Sequence, residues 1–131
     1  MGLAERRAAK HFAENKYPEI KKQIDQAAGF DVPVEVNWDQ LAVDDYANDY
    51  EENFPKIYFK PLIEALKGIC IDDLGRDALK EKLKKIAIGN GGPTFQVTFT
   101  MGVLKVDAYY GNVDYWQDRK QQIQGVLEKG L

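Results

Sequence analysis

The sequence contains no serine, one cysteine and one histidine among its 131 residues. A Ser-His-Asp triad is therefore excluded, and a tetrahedral zinc site, which needs several Cys or His ligands, cannot be built within one chain. Cys70 has no second thiol with which to form an internal disulfide. Cys70 and His11 remain as a formal nucleophile and base, but Cys70 lies in the apolar string Gly-Ile-Cys-Ile, which predicts a buried and inert thiol.

Long apolar runs, a signal peptide and N-x-Ser/Thr acceptors for glycosylation are also missing. We therefore expect a cytoplasmic protein with no membrane partner. The formal net charge of -3 provides no basic field, so nucleic-acid binding is not expected either. With 44% hydrophobic residues and no linker or internal repeat, residues 1–131 are predicted to form a single globular domain.

The most regular pattern runs from Thr94 to Tyr110 and predicts a β-hairpin. Apolar and polar residues alternate on both arms with the period of a strand that has one buried face. A four-residue loop from Thr100 to Val103 brings the apolar residues of both arms to one face, whereas a slip of one residue exposes half of them. A three-residue loop with Gly102 in a bulge is an alternative that breaks this agreement. The predicted pairs are Phe99 with Leu104, Val97 with Val106 and Phe95 with Ala108.

The rest of the chain predicts helices around a sheet of three to four strands, mainly antiparallel, which is an α+β fold. Pro33 places the first strand at an edge of the sheet or leaves its outward side unpaired. Residues 55–71 are open to one helix or to a strand plus a helix, because Pro61 removes a hydrogen bond from any helix that spans it. A C-terminal helix carrying Trp116, Ile123 and Leu127 is expected to close the core. The strands are placed at about 31–37, 94–100 and 104–110, with 85–89 as the fourth where there are four.

Three weak patterns have a structural and a functional interpretation. The glycine-rich residues 89–93 match neither the P-loop nor the dinucleotide fingerprint, so they predict a turn. Adjacent acids such as Asp72 and Asp73 favour a helix cap over a cation site. His11, on or beside the apolar face of the first helix, is more typical of an ordinary helix histidine than of a haem ligand or general base.

The most unusual stretch is DQLAVDDYANDYEENF, residues 39–54, which holds six acidic residues and no basic one. Val43, Tyr46, Tyr50 and Phe54 recur at helical spacing, so one interpretation is a solvated helix face over an aromatic core stripe. The other is a docking surface for a basic partner, with tyrosines as apolar anchors. The lysines of residues 80–85 provide an internal counterpart, which leaves neutralisation within the fold or self-association open.

The sequence thus predicts a non-catalytic binding or protein-interaction domain that docks a basic protein partner or a second copy of itself. We expect no cofactor, no metal and no catalytic residue. One alternative is a small-ligand or haem-binding protein with a pocket between sheet and helices, and another is an enzyme built on carboxylates. The binding residues of the main hypothesis are Asp44, Asp45, Tyr46, Asp49, Tyr50, Glu51 and Glu52, and those of the alternative ligand site are His11, Tyr109, Tyr110 and Trp116.

Overall fold

The computed structural model describes residues 2–131 and has an α+β architecture in which helices pack on a four-stranded sheet. Within these residues no helix combines the length and the apolar character that crossing a membrane requires. The strands are β1 (Val34–Val36), β2 (Lys85–Gly89), β3 (Gln96–Thr100) and β4 (Val103–Asp107). The helices are α1 (Leu3–Asn15), α2 (Tyr17–Ala28), α3 (Trp38–Leu41), α4 (Tyr50–Phe54), α5 (Lys60–Ile69), α6 (Asp73–Lys82) and α7 (Trp116–Gly130).

The sheet has the strand order β1-β2-β4-β3 and is mixed. β1, β2 and β4 run parallel to one another, and only β3 is antiparallel to its neighbour. The expectation of a mainly antiparallel sheet is therefore corrected. The mostly helical residues 37–84 form a long crossover that returns the chain parallel to β1, and the hairpin then places its second arm, β4, rather than β3 beside β2. The prediction that Pro33 places the first strand at an edge is confirmed, since β1 pairs only with β2.

The predicted hairpin register is confirmed, because Phe99 pairs with Leu104 and Val97 pairs with Val106. The loop is shorter than predicted, since Thr100 and Val103 still pair and only two residues turn the chain. Both turn residues, Met101 (φ 52°) and Gly102 (φ 82°), have the left-handed backbone that a tight two-residue hairpin requires. The three-residue alternative is thereby excluded.

The region around the two prolines is helical throughout, which answers the question left open for residues 55–71. A π-helical turn at Pro55–Phe59 joins α4 to α5, and the Lys60 N–H donates to the Pro55 carbonyl across it. Pro61 then lies in the first turn of α5, where a helix can do without its N–H. The wide turn therefore lets the chain remain helical across both prolines.

The core lies between the helices and one face of the sheet. Leu104, Val106 and Ala108 are buried there, while the neighbouring Lys105 on the other face is exposed. The C-terminal helix packs on the sheet as predicted, with Ile123 and Leu127 buried in the core. The outer face of the sheet, in contrast, carries mostly polar side chains.

Candidate functional site

The acidic residues 39–54 fold into short pieces rather than the helix predicted from Val43 onward. α3 ends at Leu41, a turn follows, and a 3-10 turn at Ala47–Asp49 leads into α4. Asp45 has a left-handed backbone (φ 70°), which aspartate tolerates better than most residues and which a helix does not allow. The break at Asp45 turns the carboxylates of this segment toward solvent over several short elements.

Tyr50 fastens this segment to the core instead of lying on its surface. Its side chain is 1% exposed and its ring stacks on Phe54 with 4.4 Å between centroids. The Tyr50 hydroxyl donates a hydrogen bond to the backbone carbonyl of Val43, which closes the turn. Tyr50 therefore supports the proposed binding surface from beneath.

Tyr46 is the aromatic side chain that the acidic segment presents to solvent. It is 49% exposed, and its ring lies against Tyr110 with 5.0 Å between centroids. The Tyr110 hydroxyl in turn accepts a hydrogen bond from the Asn53 amide at 2.9 Å. Tyr46 and Tyr110 thus form an ordered aromatic pair between α4 and the loop after β4.

Five exposed carboxylates flank Tyr46 in the sequence. The Glu51 carboxylate lies 3.4 Å from the His11 imidazole and the Glu52 carboxylate pairs with Lys56 (3.2 Å), and both carboxylates keep more than half of their side-chain surface in water. Such exposed pairs leave most of the negative potential uncompensated. We call the following set the acidic surface: Asp44, Asp45, Tyr46, Asp49, Glu51 and Glu52.

The carboxylates near Tyr50 and Tyr110 help to raise the pKa values of these tyrosines. Burial raises the pKa of Tyr50 to about 12, and the carboxylates of Glu5 and Asp44 add to the rise. Burial also raises the pKa of Tyr110, with Asp49 contributing in the same direction and the hydrogen bond from Asn53 opposing it. Glu5 of α1 therefore belongs to the same negative region, which sequence spacing did not indicate.

The lysines of residues 80–85 have their contacts elsewhere. Lys82 donates to the Leu131 carbonyl and Lys84 to the Glu81 carbonyl, each at 2.7 Å, and Lys85 pairs with Glu35 at 2.5 Å. Among residues 2–131, no ion pair joins this lysine group to the acidic surface. Neutralisation within the fold by these lysines thus has no contact to support it.

The residues of the alternative ligand site have separate surroundings. The His11 imidazole is 59% exposed, with Asn15 and Glu51 as its partners. The Trp116 ring lies under the Lys60 ammonium, 4.3 Å from the ring centroid, and Tyr109 is held by Asn112 and Arg119. Of the four, His11 and Tyr110 lie beside the acidic surface, whereas Tyr109 and Trp116 flank the start of α7.

The remaining candidates have structural surroundings. Cys70 is half-buried, its Sγ lies 3.6 Å from the Ala28 carbonyl oxygen, and burial raises its pKa, which disfavours the thiolate. Asp72 caps α6 by accepting the Gly75 N–H at 2.8 Å. Nowhere in residues 2–131 do three or more His, Cys, Asp or Glu side chains come together to hold a metal ion.

Arg119 is a buried charged residue that the sequence analysis missed. Its side chain is 3% exposed, and its guanidinium donates to the carbonyls of Gly111 (2.8 Å) and Asn112 (3.1 Å). Arg119 lies one helical turn before Ile123 on the apolar stripe of α7, and this position could have indicated that it is buried. Arg119 fixes the loop that follows Tyr110.

The chain was compared with protein-family models, with curated proteins and with solved structures, and nothing in the three comparisons matches it.

Proposed function

We propose that this protein is a non-catalytic interaction domain that docks a basic partner on the acidic surface. The observation that carries the proposal is the run of exposed carboxylates on both sides of Tyr46 in the sequence, together with the Tyr46 side chain, which is half in water beside the Tyr110 ring. Clustered charge of one sign raises the association rate with an oppositely charged partner, and tyrosines supply rigid apolar contact area.

The charge distribution of the whole chain supports this choice. Residues 39–54 hold six of the 21 acidic residues and none of the 18 basic ones, which leaves 15 acidic against 18 basic residues elsewhere. A cationic partner is therefore attracted to this segment in particular, rather than to the molecule as a whole.

The test is the binding of a synthetic lysine-rich peptide to three forms of the protein. Asp49→Asn, Glu51→Gln and Glu52→Gln together remove three charges from the acidic surface, and we expect the association rate to fall by about tenfold or more, with a weaker salt dependence. The matched control removes three exposed charges elsewhere, through Glu19→Gln, Asp77→Asn and Glu81→Gln.

Amide chemical shifts recorded during the titration should change around residues 44–52 in the wild-type chain and in the control. Unfolding free energies should stay within about 1 kcal/mol of wild type, because the contacts of Glu51 with His11 and of Glu52 with Lys56 are exposed. Equal losses of binding in both triple variants would mean that only net charge matters. That outcome would remove the acidic surface as the docking site.

A further inference from the structure

The β3 edge of the sheet is open and carries no charge. Residues 95–100 read Phe-Gln-Val-Thr-Phe-Thr and contain no proline. The opposite edge, β1, has only three residues, begins after Pro33 and carries Glu35. A short strand, a proline and a charged residue are features that usually prevent an edge from pairing with another strand. An uncharged, regular edge strand is a template for an added strand.

The hairpin register shows which backbone groups of β3 are available. Thr100 and Val103 flank the two-residue turn as a hydrogen-bonded pair, so the even-numbered residues of β3 bond to β4. The N–H and C=O groups of Val97 and Phe99 therefore point to the open edge. No backbone hydrogen bond outside the hairpin uses them within residues 2–131.

A groove of about 520 Å³ runs between this edge and α7. Its floor includes Val97 and the half-buried Val126, and a side chain at Gly125 would meet nothing within 4 Å. In this groove, apolar surface of both β3 and α7 is partly exposed to water. A strand added to β3 would cover it.

The face of α7 that borders the groove is complementary to itself. Asp118, Gln122, Gly125 and Lys129 follow one another at steps of four, three and four residues, so they form one stripe along the helix. In two antiparallel copies of the stripe, Asp118 faces Lys129 of the other copy twice, and Gln122 faces Gly125. Both Asp118 and Lys129 are exposed, and neither has an ion-pair partner among residues 2–131.

We propose that the occupant of this edge is a second copy of the chain, related by a two-fold axis that passes through the β3 edge. The contacts between β3 and α7 show that one axis can pass through the middle of both the strand and the helix stripe. The Arg119 guanidinium lies 5.9 Å from the Phe95 ring centroid, and Gly130 lies against the Phe99 ring. The midpoint of the stripe, between Gln122 and Gly125, is therefore level with Val97.

An axis at Val97 defines the register of the dimer. Val97 pairs with Val97 of the second copy, Phe95 with Phe99, and Gln96 with Thr98. Because opposite residues in an antiparallel pair share a face, the apolar side chains of both strands stay on the core side. The result is a continuous eight-stranded sheet with the two α7 helices packed against each other across the axis.

Sedimentation of the full-length chain and its charge variants tests the proposal. The wild-type chain should sediment as a concentration-dependent dimer. Asp118→Lys and Lys129→Glu should each weaken association by about tenfold or more, because each places like charges opposite one another twice. The combined variant should recover it. Asp77→Lys, on the exposed face of α6, is the control and should leave the dimer unchanged.

Cysteine crosslinking tests the register. Gln96 and Thr98 of the second copy form a non-hydrogen-bonded pair, about 4.5 Å apart at Cα, which suits a disulfide. A mixture of Gln96→Cys and Thr98→Cys chains should therefore crosslink faster than either variant alone. Lys105→Cys, exposed on the same face but one strand inside the edge, and the wild-type chain with Cys70 should not crosslink.

Two results would overturn the dimer. One is a wild-type chain that stays monomeric at all concentrations, and the other is a combined charge variant that remains as weak as the single ones. In the first case, binding of a synthetic peptide of residues 94–100 at the β3 edge would show that the edge accepts a strand from another partner instead.

Discussion

Replacing the buried Arg119 by methionine should destabilise the fold substantially. The guanidinium makes two hydrogen bonds to carbonyls, and its central carbon lies 5.4 Å from the Tyr109 ring centroid. Within residues 2–131 no carboxylate pairs with it, so these contacts and the Phe95 ring, 5.9 Å away, offset the loss of its hydration. Methionine fills much of the same volume but can form neither hydrogen bond.

The magnitude follows from those contacts. A hydrogen bond from a charged donor contributes about 1.5 to 3 kcal/mol, and the two lost here lie at the low end because the carbonyl of the exposed Asn112 regains water. Relief of the buried charge offsets part of the loss. We expect Arg119→Met to lower the free energy of unfolding by about 2 to 4 kcal/mol. Arg119→Lys should lose about half as much, since one ammonium cannot reach both carbonyls as a planar guanidinium does.

Urea unfolding followed by far-ultraviolet circular dichroism measures the effect, with Lys120→Met as a control that removes a positive charge from the next position of α7. The control should change the free energy of unfolding by no more than about 0.5 kcal/mol. If Arg119→Met behaved like Lys120→Met, the two carbonyl contacts would contribute nothing and the reasoning would be refuted. A changed m-value would instead indicate that the loop of residues 109–115 is already open in the variant.

Three further predictions concern the hairpin, the thiol and the buried phenols. Phe99→Ala should lower the unfolding free energy in urea by about 2 to 3 kcal/mol, less than for a fully buried phenylalanine because Phe99 is partly exposed. Thr98→Ala, at an outward-facing position, should change the unfolding free energy by no more than about 0.5 kcal/mol. Equal effects would contradict the assigned faces. Cys70 should react slowly with a thiol reagent at neutral pH and rapidly after denaturation, and fast labelling of the native chain would show an accessible thiolate. Folding raises the pKa values of Tyr50 and Tyr17 to about 12, so both phenols should be neutral in the native protein at pH 10. The stability that they contribute below their unfolded pKa should therefore be lost as the pH rises toward 12. If the tyrosinate absorbance of the native protein followed the titration curve of free tyrosine, this prediction would be contradicted.

The hairpin was predictable because its information is local. Two alternations on either side of one turn fix the faces, and only one register places both apolar sets together. The number of loop residues was not fixed by this pattern. Thr100 and Val103 pair because Met101 takes a left-handed backbone, which alternation does not encode.

The neighbour of β1 was not predictable by the same means. Alternation indicates which residues share a face but carries no information on the partner strand or its direction. β1 and β2 are separated by residues 37–84, so their pairing depends on how the helices between them pack. Likewise, Pro55 and Pro61 signal a break, but the π-helical turn that accommodates them depends on buried neighbours such as Tyr58.

The acidic surface was located by composition, whereas its geometry required the fold. Helical spacing placed Tyr46 and Tyr50 on one stripe. The left-handed backbone of Asp45 interrupts that helix before Tyr46, and Tyr46 is exposed beside Tyr110 while Tyr50 remains in the core. The contribution of Glu5 follows from the packing of α1 beside α4, which lies beyond any spacing rule.

The tyrosines beneath the acidic surface bear on how strongly it would bind. A flexible acidic loop loses conformational entropy when a partner orders it, and that loss is subtracted from the gross attraction. Here the Tyr50 hydroxyl bonds to the Val43 carbonyl, and the Asn53 amide bonds to the Tyr110 hydroxyl, so both ends of the segment 43–53 have contacts that hold them without a partner. Ordering this segment on docking should therefore cost less conformational entropy, and Tyr50→Phe, which removes the bond from the buried Tyr50 to Val43, should weaken binding of the lysine-rich peptide in the same titration.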